Sequence, residues 1–413
     1  MSAIWKTVPL WSLVTVGREV VEPSDLGKQV VHYSIPVVDA LGTGQMEASE
    51  SIKSAKLLLR GGEVLISKLN PRKSRVLIVA KSDLPIVSST EFVGLQTLPG
   101  LDARFLSSLL QSETVRQELD SQVQSVTRSH QRVSPEDVTH LSVQIPPLDE
   151  QRRIADFLDS ETDRIDRLAG LQQAVIARLK EREAAELDNA IDELASRSGT
   201  VPLRRFVWSV DQGISPQCEA VPSADDEWGV LKVSCLRPGI FNPAENKRLP
   251  DNVQPQRSSE VHEGDLLIAR ANTPQLVGST AVVRHVRKKL LLSDKIFRVR
   301  LSEGMTPDFV ATIARGSRIR NWSAAGSNGA SQSMANIRFE EVKKWHMPAV
   351  QTNTQREFVE HISRGQQHLD ALRPTVDRQL ALLAERRQAL ITAAVTGQFD
   401  VSTASGRNVT DGV

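Results

Sequence analysis

The chain has 413 residues, enough for two or three domains that each bury a core, and only 4% of them are aromatic, too few for the base-stacking platforms of single-strand binders. Its 51 Lys and Arg nearly balance 50 Asp and Glu, which argues against indiscriminate coating of nucleic acid while allowing a local basic face. Two cysteines, Cys218 and Cys235, predict a reduced, cytoplasmic protein; Trp5, Lys6 and Pro9 interrupt any apolar signal core, and no run is long enough to span a membrane.

Residues 1 to about 145 alternate short apolar runs with Gly and Pro. Glu63 to Ile66 follows Gly61-Gly62, and Val76 to Val79 follows the Asn70-Pro71 turn, so both runs read as strands. A helix is expected from Asp102 through Leu119. A short one opens at Ser134, where Ser-Pro-Glu-Asp supplies an N-cap, a Pro at the first helical position and first-turn acids.

From Asp149 to about Ala195 the pattern becomes helical. Ile154, Leu158, Ile165, Leu168, Val175 and Leu179 keep steps of three, four or seven and predict an apolar seam. The plan then repeats. Strands are expected near Asp265 to Ala269, Ser279 to Val283 and Phe297 to Leu301, with a helix opened by Thr306-Pro307-Asp308. A second long helix carries the seam Phe358, Ile362, Leu369, Leu372, Val376, Leu383 and Leu390. Gly170 and Pro374 fall in mid-helix, where each residue type weakens helical backbone, so a kink or break is expected at both. Ser402 to Val413 reads as a disordered tail.

The repeat is specific. Gln151-Arg152 recurs as Gln355-Arg356, a separation of 204 (355 minus 151), and Phe105, Val138 and Leu179 recur as Phe309, Val342 and Leu383 in the same register. The fold class is therefore α+β: two tandem α+β domains alternating with two long coiled-coil helices, a pseudo-twofold repeat. The expected boundaries are 1–147, 148–198, 199–349 and 350–399, with a tail from 400 to 413.

Tools of catalysis are missing. The sequence has no phosphate-binding Gly-rich Lys loop, no nucleophile elbow, no His-Glu-x-x-His and no Cys-x-x-Cys, and Asn70-Pro71-Arg72-Lys73 lacks the second Pro and the aromatic of an adenine methyltransferase tetrapeptide. No metal site is expected. What remains is loop chemistry suited to duplex DNA. In the first half the candidates are Lys68, Asn70, Arg72, Lys73 and Arg75, with Arg128, Ser129, His130 and Gln131; in the second they are Arg270, Asn272, Asn328, Ser331 and Gln332. Arg suits guanine edges and Asn or Gln adenine edges, while Lys and Ser suit phosphates. Arg315 and Arg318 add a cationic helix face beside Trp322, which is expected to be packed, and Arg284 to Lys289 reads equally as a solvated hairpin tip or as a phosphate contact.

The segments Ile145-Pro146-Pro147-Leu148-Asp149-Glu150-Gln151-Arg152-Arg153-Ile154 and Leu383-Ala384-Glu385-Arg386-Arg387-Gln388-Ala389-Leu390-Ile391-Thr392-Ala393-Ala394-Val395-Thr396-Gly397 resemble the conserved regions of specificity subunits of type I restriction-modification enzymes. The resemblance implies two target-recognition domains, each reading half of a bipartite double-stranded DNA site. It implies helices that dock two methyltransferase subunits and, through them, restriction subunits. S-adenosylmethionine, ATP and Mg would belong to those partners and no cofactor to this chain. The competing readings are a coiled-coil scaffold that does not read DNA and a self-contained DNA methyltransferase or nuclease.

Overall fold

The structure, a computed structural model, describes residues 5–123, 131–331 and 334–401. The expected tail at Ser402 to Val413 lies outside them. The chain forms two compact units, Met1–Gln172 with Val376–Val413, and Gln173–Thr375. The division differs from boundaries drawn between domains and helices, because it passes through the middle of both long helices.

The first unit is built on a four-stranded antiparallel sheet in the order β1 (Val14–Val16), β4 (Phe92–Thr97), β2 (Val64–Ser67), β3 (Val76–Ile78). Gly61 and Gly62, at φ of 87° and 96°, turn the chain into β2 in a region that disfavours side chains. Five further strands, Val20–Val21, Lys56–Leu59, Ile86–Ser88, Gln29–Tyr33 and Gln45–Ala48, make a second sheet in that order. The helix expected from Asp102 to Leu119 is two helices, α1 (Ala103–Gln111) and α2 (Glu113–Ser121). Ser112 separates them because its extended backbone ends one helix while its hydroxyl accepts a hydrogen bond from Val115 N, at 3.4 Å, to cap the next. The capping box at Ser134 forms as its sequence predicts, with Ser134 and Asp137 exchanging side-chain hydrogen bonds at 3.0 and 2.7 Å.

The two long helices are α3 (Leu148–Ser198, 51 residues) and α6 (Thr352–Val395, 44 residues). Neither breaks: helical backbone runs through Gly170 and Pro374, which are both exposed and so displace no packed neighbour. The compact units nevertheless part within three residues of each, at 172/173 and 375/376. In the first unit Phe157 meets Phe399 and Asp166 meets Arg387, so later residues of α3 pair with earlier residues of α6. The start of α3 and the end of α6 join one core, in which Ile154, Leu158, Ile391, Ala394 and Val395 pack with Phe105 and Leu106. Burial of each larger apolar side chain contributes about 1.5–3 kcal/mol. The ring of Trp5 lies over Gly397, where an added Cβ would approach it to 3.4 Å.

The seam is corrected in its middle. Ile154, Leu158, Ile165 and Phe358 are buried, and Leu179, Ile362, Leu369, Val376, Leu383 and Leu390 are half-buried. Leu168, Val175 and Leu372 are exposed, at 45%, 53% and 42%. The covered stripe past Ile165 runs through Ala169, Gln172, Ile176 and Leu179, one residue out of phase with the larger side chains.

The second unit repeats the first. Its four-stranded sheet has the order β5 (Val207–Gln212), β8 (Ile296–Leu301), β6 (Leu266–Ala269), β7 (Thr280–Val282). Helices α4 (Pro307–Ile313) and α5 (Ser317–Ala325) take the places of α1 and α2. Phe309, Val310, Val342 and Met347 form a core with Leu187, Ile191 and Phe358 of the long helices. Cys218 and Cys235 are both free thiols.

Candidate nucleic-acid interface

Each unit sends a polar loop from the same end of its four-stranded sheet. In the first, Lys68 N donates to Glu91 O at 2.8 Å and Val133 N to Lys68 O at 3.1 Å; in the second, Arg270 N donates to Lys295 O at 2.8 Å and Ile337 N to Arg270 O at 2.9 Å. Lys68 and Arg270 thus hold one backbone position in two copies. Two residues on, Asn70 N donates to Gln131 O at 2.8 Å, and Asn272 pairs with Ala335. Loop backbone therefore continues each sheet, which fixes where the side chains start.

Asn70 and Ser74 are held at positive φ, 52° and 46°, on either side of the short turn Pro71–Lys73. A non-glycine residue in that region is uncommon and marks a loop whose shape is overdetermined by its surroundings. Arg75 supplies the constraint. Its guanidinium is almost wholly buried, binds both carboxylate oxygens of Asp39 and donates to Leu69 O at 3.1 Å. The Arg75 guanidinium holds the Asp39 carboxyl below its ordinary range. Arg75 is therefore a loop brace, while Arg72 and Lys73 stand exposed at the turn and Lys68 is half-buried.

The carboxamides carry unsatisfied polarity. Asn70 Oδ1, Gln131 Oε1, Ser74 Oγ and, in the other unit, Asn272 Nδ2 are buried atoms without a hydrogen-bond partner among the described residues. A polar atom left this way costs about 1–3 kcal/mol. Three of these atoms lie at the first loop and one at the second. Arg128, Ser129, His130 and Gln332 lie outside the described residues. Asn328 and Ser331 lie on the strand Asn328–Ser331, beside the strand that pairs with Asn272.

Two predicted DNA contacts have other employment. Arg315 donates to Gln366 Oε1 at 2.8 Å and to Glu183 Oε1 at 3.1 Å, tying the end of α4 to both long helices; its charge is neutralised inside the unit. Arg318 faces Asp192 of α3 at 3.3 Å. Trp322, expected to be packed, is 45% exposed. At the basic hairpin, Arg284 pairs with Asp308, and Arg287 donates to Glu227 O at 3.0 Å.

Sequence reasoning missed a segment in the second unit. Asp294 O accepts hydrogen bonds from Arg270 Nη1, at 3.0 Å, and from Gln212 Nε2, while its carboxylate accepts from Ser215 Oγ. Gln212 ends β5 and Ser215 follows it, both far from Arg270 in sequence, and no local motif marks them.

The two units thus carry matched polar loops, one on each copy of the four-stranded sheet. Residues 5–177 match the family model described as type I restriction modification DNA specificity domain. The specificity subunit of the type I restriction enzyme EcoEI of Escherichia coli is 32% identical over 140 residues, 33% of this chain and 24% of that protein. The EcoKI specificity subunit of Escherichia coli strain K12 is 21% identical over 419 residues, 96% of this chain and 89% of that one. A solved chain, from work on complex assembly and conformational transition of the type I R-M system, superimposes with a TM-score of 0.69 at 18% identity, covering 96% of this chain and 98% of its own. Over residues 5–177 the chain is thus similar to the DNA specificity domain of type I restriction-modification systems, and over most of its length it shares the fold of a solved chain from such a system.

Proposed function

We propose that this chain is the non-catalytic DNA-recognition subunit of a type I restriction-modification complex. Its two units act as target-recognition domains, each reading one half of a bipartite duplex site, and α3 and α6 form the antiparallel coiled-coil spacer between them. The carrying observation is the recurrence of one loop architecture, with Lys68 and Asn70 answered by Arg270 and Asn272 on the same backbone hydrogen bonds. A merely solvated loop has no reason to keep cationic and carboxamide side chains at matched positions with buried polar atoms unsatisfied.

Asn70, Gln131 and Asn272 would face base edges, and Arg72 and Lys73 phosphates. Two methyltransferase subunits would dock on the helices, with restriction subunits joining through them. Those partners would supply S-adenosylmethionine, ATP and Mg chemistry. Among the described residues no helix is long and apolar enough to cross a membrane.

The test is exchange. Expressed with its methyltransferase subunit, the chain should direct adenine methylation to a two-part sequence. Replacing residues 1 to about 145 with the corresponding segment of a relative should change one half only. Change in both halves, or methylation without sequence preference, would overturn this reading.

A further inference from the structure

The turn after β5 is built more rigidly than a connecting loop requires. Gly213 is buried so closely against Leu292 that an added Cβ would lie 1.8 Å from its carbonyl oxygen. On the far side Ser215 is fixed from two directions: its hydroxyl donates to the Asp294 carboxylate and accepts from Asp294 N at 3.4 Å. Between these two anchors Ile214 stands 50% exposed. A single exposed apolar residue needs no explanation by itself. This one is β-branched, stiff at χ1 and immobilised at both neighbours. Its neighbours Gln212 and Ser215 both bond Asp294, which also binds Arg270, two residues before Asn272.

Polar side chains around one fixed methyl-bearing group match a particular surface. In the major groove, thymine presents a 5-methyl group beside the O4 acceptor, and small apolar side chains contact that methyl. Gln212 Nε2 and Arg270 Nη1 both donate to Asp294 O, and Ser215 of the same turn bonds the Asp294 carboxylate, so the turn that carries Ile214 is tied to the loop that carries Arg270. We propose that Gly213–Ser215 is a second reading segment of this unit, in which Ile214 packs on the 5-methyl group of a thymine in the half-site. The proposal rests on the recognition function above and adds the base chemistry read by a segment that function did not use.

Removing one methyl contact from water-excluded packing corresponds to a roughly three- to tenfold loss of affinity. The complex with the methyltransferase subunit would be titrated with duplexes in which each thymine of the second half-site is replaced in turn by uracil, which lacks only that methyl. One replacement should weaken wild-type binding by about this factor and have no effect on the Ile214→Ala complex. Ser215→Ala, which unpins the turn, should reduce the same preference. Replacements in the first half-site should affect all three complexes alike. A second half-site indifferent to uracil, or an Ile214→Ala complex retaining full thymine preference, would overturn the proposal. Wild-type binding with no sequence preference would instead overturn the recognition function itself.

Discussion

Gln151 and Gln355 make the same three hydrogen bonds in two different units. Gln151 Oε1 accepts from Asp102 N at 2.9 Å, and its Nε2 donates to Gly100 O at 3.0 Å and Pro146 O at 2.9 Å. Gln355 Oε1 accepts from Thr306 N at 2.9 Å, and its Nε2 donates to Gly304 O at 2.8 Å and Val350 O at 3.0 Å. Both side chains are fully buried, at 1% and 0% exposure. Each stitches the first turn of a long helix to the segment that starts the first helix of its own domain, which explains why this residue survives in both copies of an otherwise divergent sequence.

Gln151→Ala should therefore destabilise the first unit by about 2–4 kcal/mol, because it leaves two carbonyls and one amide unsatisfied in the core. Urea denaturation monitored by hydrogen exchange would resolve this. The core amides of residues 92–110 should lose protection and those of 296–313 should keep it. Equal loss in both segments would mean that the units do not unfold separately.

The brace at Arg75 has a pH signature. Asp39 lies below its ordinary value of 3.8, mainly through its hydrogen bond to Arg75. A carboxyl depressed in the folded state contributes stability that is present above the unfolded value and disappears as pH falls through the lower folded value. Amide exchange at residues 70–75 should then stay slow on descending to about pH 4 and quicken only below it. Asp39→Asn should quicken it at neutral pH. An unchanged profile in that variant would remove the brace from the account.

Leu168, Leu171 and Val175 stand exposed three and four residues apart on one face of α3. An apolar row of this kind on a helix is a surface for association. Leu168→Lys with Leu171→Lys should leave the melting temperature within about 2 °C of wild type, since both side chains are largely in water already. Co-purification with the methyltransferase subunit should fall by at least about tenfold. Full co-purification would place the docking surface elsewhere.

The helices also lend themselves to a length test. Four residues inserted near Val175 add about 6 Å while nearly preserving the phase of the face. Methylation mapping should show both half-sites unchanged and the undefined stretch between them longer by one or two base pairs, at 3.4 Å each. An active complex with an unaltered gap would show that helix length does not set the spacing.

The repeat, the sheet strands and the capping box at Ser134 were legible because each rests on local pattern. The partners of Arg75 and Arg315 were not legible, because sequence shows a charge but not what it meets: Asp39, Glu183 and Gln366 lie far along the chain. Leu168 and Val175 were assigned to the seam because they are large. The buried face instead follows Ala169, Gln172 and Ile176, which composition does not single out. Gln212 and Ser215 escaped notice because only the sheet, through Asp294, brings them to Arg270. The five-stranded sheet was hidden by strands of two to five residues, too short to establish a period.

Trp5 lying over Gly397 bears on the order of the halves. At the other junction, Gly199, with φ of 71°, turns α3 directly into the strand Thr200–Pro202; Gly397, with φ of 73°, ends α6 beside the residue that leads into the matching strand Lys6–Pro9. Within the first unit the segment that follows α6 therefore lies against the segment that leads into the strand Lys6–Pro9. A chain joined by a short linker from Asp400 to Trp5 and reopened at Gly199 keeps every buried contact within each unit. Such a rearrangement would change the order of the two units in the gene and leave the core of each as it is.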